Sequence, residues 1–319
     1  MSRVAAVVIG RNEGPRLARC LRSVLGRCDP VVYVDSASSD GSSDVARSLG
    51  ADVVALDLSM PFTFGRARNR GAARALALAP DVDYLQFVDA DSEIVAPWFD
   101  AAVAALAEAP RIAAVHGRLR ERHPGASVYD HLYALEFDPR SEDPEVIGGM
   151  AMMRVTAFAQ VGCYAENMQT FEDHELSFRL RRAGWQIRRL DAEMAVHEAG
   201  MTRWREWWAR ERRAGHARAQ LVAAYGWDGA RPWRRAYASI WFWAVLLPAL
   251  GAASTWAWGR GGLLVCLAYP ALLYRVFRRL QRSGFAPADA ALYGAARVAG
   301  KFPQLQGVLS FLRERGSAP

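Results

Sequence analysis

The sequence predicts an α/β chain with a mostly parallel central sheet, followed by a C-terminal helical region of membrane-like composition. From Val4 to about Arg122, short apolar runs alternate with stretches of helical periodicity, and aspartates stand where several runs end. Near the C-terminus, Tyr237–Trp258 carries no charged residue over 22 positions. Strand–helix alternation argues for a parallel sheet covered on both faces. Ligands of such sheets gather at the carboxyl ends of the strands.

The elements follow in order. Val4–Ile9 is strand-length and lacks the apolar core and cleavage site of a signal peptide, so the catalytic part is expected to stay on the side where it is made. Pro15 opens the first helix, where a missing N–H is harmless, and Leu17, Leu21, Val24 and Leu25 share one face. VVYVD is a second strand, and the helix after it stops near Gly50, at the position that favours glycine. ADVVAL precedes a helix near Gly65 to Leu78, and YLQFVD precedes one starting at Ala96. From about His123 to Glu198 the pattern is mixed, with a strand at GMAMMR, a helix from Glu172 to Ala183 and a strand from Gln186 to Ala195. Thr202 to Tyr225 is amphipathic, with Trp204, Trp207, Trp208, Ala214 and Leu221 among arginines. It reads either as a helix packed on the domain or as one lying in a lipid interface.

As a helix, Tyr237–Trp258 would be about 33 Å long, enough to cross a hydrocarbon core of about 30 Å. Leu263–Tyr274 would reach only about 18 Å as an α-helix and reads as re-entrant, interfacial or the second arm of a kinked hairpin. Arg231, Arg234 and Arg235 precede this region and Arg275, Arg278, Arg279 and Arg282 follow it, which fits both ends facing the cytoplasm. A buried soluble hairpin kinked at Pro248 and Pro270 is the alternative. The expected organisation is a catalytic domain over 1–226 and a helical region over 227–319, with embedded segments near 237–258 and 263–277. The expected location is the cytoplasmic face of the cell membrane.

The net charge of +7 comes almost wholly from arginine, since Lys301 is the sole lysine. Arginine clusters suit phosphate ligands or anionic lipid, and with no nucleic-acid motif in the chain no nucleic-acid partner is expected. Cys20, Cys28, Cys163 and Cys266 form no CxxC pair, which argues against a zinc site or a disulfide framework.

Two acidic constellations carry the chemistry. Asp89 and Asp91 flank Ala90 at the end of an apolar run; alternate residues of a strand point to opposite faces, so the pair converges only where the chain turns. Such oxygen ligands suit Mg²⁺ or Mn²⁺ shared with substrate phosphates, although a solvated acidic turn also fits. Glu172 and Asp173 stand at a helix start, where they either serve the helix dipole or supply a general base. His197, after MAVHE, is a candidate third metal ligand or a structural histidine.

Six segments in order, VAAVVIGRNEGPRLARCLRSV, VVYVDSASSDGSSD, FGRARNRGA, FVDADSE, IGGMAMMRVTAFAQVGCY and FEDHELSFRLRRAGW, resemble glycosyltransferase family 2, the inverting enzymes with the A-type glycosyltransferase fold. The resemblance covers Val4 to about Trp204, and the apolar C-terminal region with GKFPQLQGVLSFLRER resembles membrane-associated bacterial relatives. It implies a nucleoside-diphosphate sugar donor, a saccharide or lipid-linked acceptor, and a role in surface polysaccharide or glycolipid assembly. Residue by residue, it makes Asp35 a nucleotide contact with Asn12 and Glu13 near the base and ribose, and sets Arg68 and Asn69 beside the nucleotide or its diphosphate. Asp89 and Asp91 become the family's DxD, with Asp91 the direct metal ligand. Gly148 and Gly149 line the acceptor side, Asp173 is the catalytic base and Glu172 supports it. Ser36 stands where many relatives have a second aspartate, and the QxxRW signature of processive synthases is missing, which favours transfer of a single sugar.

Other classes fit less well. Phosphatases with a DxD nucleophile need Thr or Val where this chain has Glu93, and no GxGxxG follows the first strand as a dinucleotide site requires. The remaining alternative is a non-catalytic, membrane-associated protein that binds a nucleotide sugar on the same fold.

Overall fold

The computed structural model describes residues 2–138, 140 and 144–316. They form two compact units, one made of the chain up to Pro124 with Glu136–Gly200, the other of Gly125–Leu135 with the chain from Met201 onward.

Among the described residues, the first unit holds eight strands: β1 (Val4–Gly10), β2 (Val31–Asp35), β3 (Asp52–Ala55), β4 (Tyr84–Asp89), β5 (Ser92–Ile94), β6 (Ile112–Glu121), β7 (Ala151–Arg154) and β8 (Gln186–His197). They form one sheet in the order β3-β2-β1-β4-β7-β6-β8-β5. The first four are mutually parallel, as the alternation predicts, and are interleaved with α1 (Pro15–Val24), α2 (Ser42–Ser48) and α3 (Phe64–Leu78). α4 (Ala96–Glu108) follows β5. β7 enters antiparallel between β4 and β6, and β5 pairs antiparallel with β8. Both β5 and β6 are additions to the strands named from sequence.

Period-2 geometry splits each inner strand between two cores. Val4, Ala6 and Val8 pack with Leu17, Leu21 and Trp98 on one face, while Ala5, Val7 and Ile9 pack with Ala67, Phe87 and Leu176 on the other. Burial on both faces is why these strands read as continuous apolar runs rather than alternating ones. Register places Gly10 beside Asp35 and Ile9 beside Asp89, so both aspartates emerge at the same edge of the sheet. α5 (Val128–Glu136), α6 (Val155–Gln160) and α7 (Glu172–Arg182) complete the middle of the chain. Within the first unit, β6 and β8 run parallel and set Glu121 level with His197.

The second unit is helical. α8 (Trp204–Gly229) leaves helical geometry at Gly226 (φ 67°, ψ 172°), after which come α9 (Arg231–Trp241), α10 (Leu247–Trp258), α11 (Ala268–Arg282), α12 (Pro287–Ala299) and α13 (Lys301–Gly316). A core of Leu132, Leu135, Met201, Trp207, Leu280, Phe285 and Tyr293 holds part of it together. α8, which spans the expected boundary at 226, packs on α13 at very short range. A Cβ on Gly215 would lie 1.9 Å from the Gln304 carbonyl oxygen, and one on Gly307 would lie 1.9 Å from that of Arg212. Of the tryptophans that made α8 look interfacial, Trp207 is buried in the core with Leu132, Leu280 and Phe285 while Trp204 is exposed.

The apolar C-terminal stretch forms a two-armed hairpin. α9 runs through a wider turn at Phe242–Leu246 into α10 without leaving helical dihedrals. Pro248 follows this turn; it lacks an N–H and its ring crowds the carbonyl four residues back, which is where a wide turn relieves the helix. The chain reverses at Gly259, whose φ of 62° favours glycine, and returns as a 3₁₀ segment, Gly259–Leu267. The arms touch along their length: Gly262 meets the Ser254 backbone, Cys266 lies against Gly251, and the Tyr269 hydroxyl donates to the Trp243 carbonyl at 2.5 Å. Only 17% of the most apolar 18-residue window between Arg231 and Arg282 is buried, which sets aside the buried soluble hairpin.

Because backbone, not side chain, faces Gly307, Gly307→Val is expected to cost at least about 1–3 kcal/mol of stability by overpacking. Chemical denaturation checks this, and an unchanged midpoint would show that α8 and α13 do not rely on contact here.

Candidate active site

The site lies in the first unit, at the carboxyl edge of the sheet. Asp35 ends β2 and is buried, accepting hydrogen bonds from the Tyr33 hydroxyl at 3.0 Å and the Ser38 amide at 3.1 Å. Asn12 lies just past β1 with φ at 57°, and its Oδ1 accepts from the Ser39 amide at 2.7 Å while its own amide donates to the Ser38 hydroxyl. These contacts fasten the loop after β1 to the loop after β2. Glu13 pairs with Arg16 at 2.8 Å; burial, with smaller help from Asp91 and Asp89, raises its pKa above the usual carboxylate range.

Arg68 is the hinge of the site. It projects from α3, is 2% exposed, and forms ion pairs with Asp89 at 2.8 Å and Glu172 at 2.5 Å. The faces of Phe64 and Tyr164 lie 5.8 and 5.5 Å from its guanidinium carbon. Burial alone would favour the neutral guanidine, but Asp89 and Glu172 outweigh it and hold Arg68 charged. Arg68 therefore joins the DxD strand end to the start of α7, two places far apart in sequence. Asn69 is likewise engaged within the protein, donating to the Tyr164 carbonyl at 2.9 Å and to Glu166 at 3.0 Å and accepting from the Tyr164 amide. Expected beside the nucleotide, Arg68 and Asn69 thus hold other parts of the site in place. Gly149 faces the same cluster: a Cβ there would lie 2.7 Å from Arg68 and 2.9 Å from Asp89, whereas Gly148 has open space around it.

Asp91 turns the other way. Its Oδ2 lies 3.4 Å from His197 Nε2, and Ser92 donates to its Oδ1 at 3.1 Å. The far nitrogen of His197, Nδ1, lies 2.9 Å from Glu121, a buried carboxylate that also accepts from the Ala199 amide. Burial works against a charged imidazole, yet hydrogen bonds to Asp91 and Glu121 push the His197 pKa up to about 10. Burial would also raise Asp91, but the His197 contact prevails and lowers it. Among the described residues no three His, Cys, Asp or Glu side chains converge as a ready metal cage. Of the three expected ligands, Asp89 is turned to Arg68, leaving Asp91 and His197 facing one another. One carboxylate oxygen and one imidazole nitrogen could supply two ligands to a divalent ion that took its remaining ligands from elsewhere.

The α7 carboxyls behave differently. Glu172 is buried on Arg68, and desolvation, then the neighbouring Asp173, raises its pKa to about 7. Asp173 is half-buried, accepts from the His174 amide at 2.7 Å, and is raised to about 6, chiefly by desolvation and against the pull of Arg68. Glu121 is the site residue absent from the sequence-based set; its only signal was a lone acid closing the run that precedes His123.

A mostly parallel α/β sheet, with β5 and β7 antiparallel and carboxylates at the strand ends, is the A-type glycosyltransferase fold, and this is the class the architecture defines. Residues 6–162 match the sequence model described as glycosyl transferase family 2, and residues 131–203 match one described as the N-terminal domain of galactosyltransferase. The likeness to glycosyl transferase family 2 thus extends over just under half of the chain. A mannosyltransferase from Pyrobaculum calidifontis, solved in complex with GDP-Man and Mn²⁺, superposes with a TM-score of 0.65 at 17% identity, covering 98% of this chain and 88% of its own. TarS 1–349 of S. aureus gives a TM-score of 0.50 at 13% identity over 92% of this chain and 90% of its own. A protein of Rickettsia felis described as an uncharacterized glycosyltransferase is 33% identical over 94 residues, 30% of either chain. A Rickettsia conorii protein described in the same words is 34% identical over 92 residues, 29% of this chain and 30% of its own. The chain thus matches under a third of the length of these relatives.

Gly149→Ala is expected to push Arg68 off Asp89 and destabilise the fold by about 1–3 kcal/mol, while Gly148→Ala changes stability by less than about 0.5 kcal/mol. Arg68→Met, which leaves buried Glu172 and half-buried Asp89 without their cation, is expected to cost about 3–5 kcal/mol. Urea unfolding of the three variants checks both, and equal midpoints for the glycine pair would overturn the first.

Proposed function

We propose that this protein is an inverting, divalent-metal-dependent glycosyltransferase that moves one sugar from a nucleoside-diphosphate donor to a hydroxyl acceptor. The observation that carries the reading is the Asp89–Arg68–Glu172 chain of ion pairs, which links the strand end suited to a diphosphate with the helix start that presents Asp173. Asp35, Asn12 and Glu13 line the edge where the nucleoside would lie, and Asp91 with His197 would hold the cation. A divalent ion bound there would neutralise negative charge gathering on the departing diphosphate. Asp173, ionised and half-buried, would take the proton of the acceptor hydroxyl as that oxygen attacks the anomeric carbon from the face opposite the leaving group. Glu172 stays fixed on Arg68 and keeps the start of α7 in place. A single displacement inverts the anomeric centre. The GDP-Man and Mn²⁺ of the Pyrobaculum calidifontis complex support a nucleotide-sugar donor and a metal.

We further propose that the apolar hairpin sits in the cytoplasmic face of the cell membrane and that the acceptor is a saccharide or a lipid-linked one, in surface polysaccharide or glycolipid assembly. Support comes from exposed Trp256, Trp258, Leu263, Leu264 and Leu267 at the hairpin tip, and from arginines at its base with no acidic residue between Arg231 and Arg282.

Asp173→Asn is expected to leave donor binding intact and to slow transfer about 10²–10⁴-fold; unchanged turnover would remove Asp173 from the role of base, whereas donor binding without any transfer by the unmodified protein would favour a non-catalytic binding protein. Since only the ionised carboxyl accepts a proton, kcat should fall as pH drops through about 6, the raised pKa of Asp173. A pH profile flat from 7 down to 5 would contradict this. Full-length protein should float with vesicles of phosphatidylglycerol, and Trp256→Ser with Leu264→Asp should weaken that binding at least tenfold.

A further inference from the structure

Glu121 has no place in the reaction as described, yet it is among the most deeply buried carboxylates of the first unit, its side chain 2% exposed. Its contacts explain why a charge is retained there. One oxygen lies 2.9 Å from His197 Nδ1, and the carboxylate also accepts from the Ala199 amide at 3.2 Å and the His123 amide at 3.3 Å. The pairing rests on rigid structure: Glu121 closes β6, His197 closes β8, and the two are register partners in a parallel ladder. On the other side β5 pairs Ser92 with His197, which sets Asp91 one residue from the ring. Phe137 stacks near the imidazole at 6.5 Å between ring centres. The imidazole is thus fixed in direction, with Nδ1 on Glu121 and Nε2 aimed at Asp91.

We propose that Glu121 is a positioning residue for divalent-cation binding, acting through His197. By accepting the Nδ1 proton it fixes the plane of the ring and keeps Nε2 directed at Asp91, so that a cation displacing the Nε2 proton would meet one nitrogen and one carboxylate oxygen together. Histidines that ligate metals commonly donate their second N–H to a carboxylate, and loss of that partner typically costs 10–100-fold in metal affinity. Here Glu121 and His197 close β6 and β8 and Asp91 lies in the tight turn between β4 and β5, so the ligand pair is held by the edge of the sheet. The inference rests on the proposed metal dependence and extends it to a residue that does not itself touch the cation.

The test is Mn²⁺ binding to the full-length protein, measured by calorimetry and by the loss of free-Mn²⁺ paramagnetic resonance signal, in the presence of GDP and separately of UDP. Glu121→Ala is expected to weaken Mn²⁺ binding about 10–100-fold. Glu121→Gln, which keeps an acceptor for Nδ1–H, should restore affinity to within a few-fold of the unmodified protein. In a His197→Ala background, Glu121→Ala should have no further effect on Mn²⁺, since the two residues act as one unit. Melting in excess chelator separates folding from metal: a variant that melts earlier but binds Mn²⁺ with unchanged affinity makes Glu121 structural and overturns the proposal. Equal losses from Glu121→Ala with and without His197 overturn it as well. Failure of the unmodified protein to bind Mn²⁺ with either nucleotide overturns the metal reading, and this inference with it.

Discussion

A buried guanidinium is the constraint on which the site is built. Removing an ion of this size from water costs several kcal/mol even after relaxation, and the cost is offset only when opposite charges meet it in good geometry. Arg68 meets two, Asp89 from β4 and Glu172 from α7, between the rings of Phe64 and Tyr164. Any shift of β4, α3 or α7 that broke one pair would leave a charge stranded in the interior. The three elements are therefore held to one arrangement, and Gly149 is small because the Arg68–Asp89 pair occupies the space a side chain would need.

That arrangement sorts three acids into two environments. Asp91 is kept ionised by the imidazole at its side, whereas Glu172 and Asp173 share a poorly solvated helix start and are pushed upward. Environments that drive pKa values apart separate roles, one carboxylate remaining an anion near neutral pH and another able to exchange a proton there. The proposed division into cation holder and base follows this separation. Arg68 keeps the two environments distinct, because it consumes the charge of Asp89 and Glu172 and leaves Asp91 and Asp173 facing outward from the cluster.

The second unit obeys a different logic. α8 and α13 approach as closely as backbones allow because glycine stands at both contact points, and that packing is independent of any chemistry. The hairpin between them in sequence buries little of its apolar surface, although its two arms satisfy one another along their length. Pro248 loosens one arm and Gly259 turns the chain, so local residue chemistry accounts for its shape.

Much of this was legible in the residues alone. β1, β2 and β4 were readable because burial on both faces is written in neighbouring residues, and the helices between them because of local punctuation such as Pro15 and Gly50. The acids at Asp35, Asp89, Asp91, Glu172 and Asp173 were readable because strand ends and helix starts are where such groups converge on ligands. The charge-free stretch Tyr237–Trp258 announced an apolar element, but not that Gly259 folds the return arm against it. Only the tertiary structure decided that Arg68 and Asn69 turn inward, that Gly149 rather than Gly148 is sterically required, and that Glu121 stands beside His197. The reason is physical: periodicity reports which face of an element is hidden from water, whereas the partner of a buried charge is chosen by register and packing between segments such as β6 and β8, 76 residues apart at that contact, which no local pattern encodes.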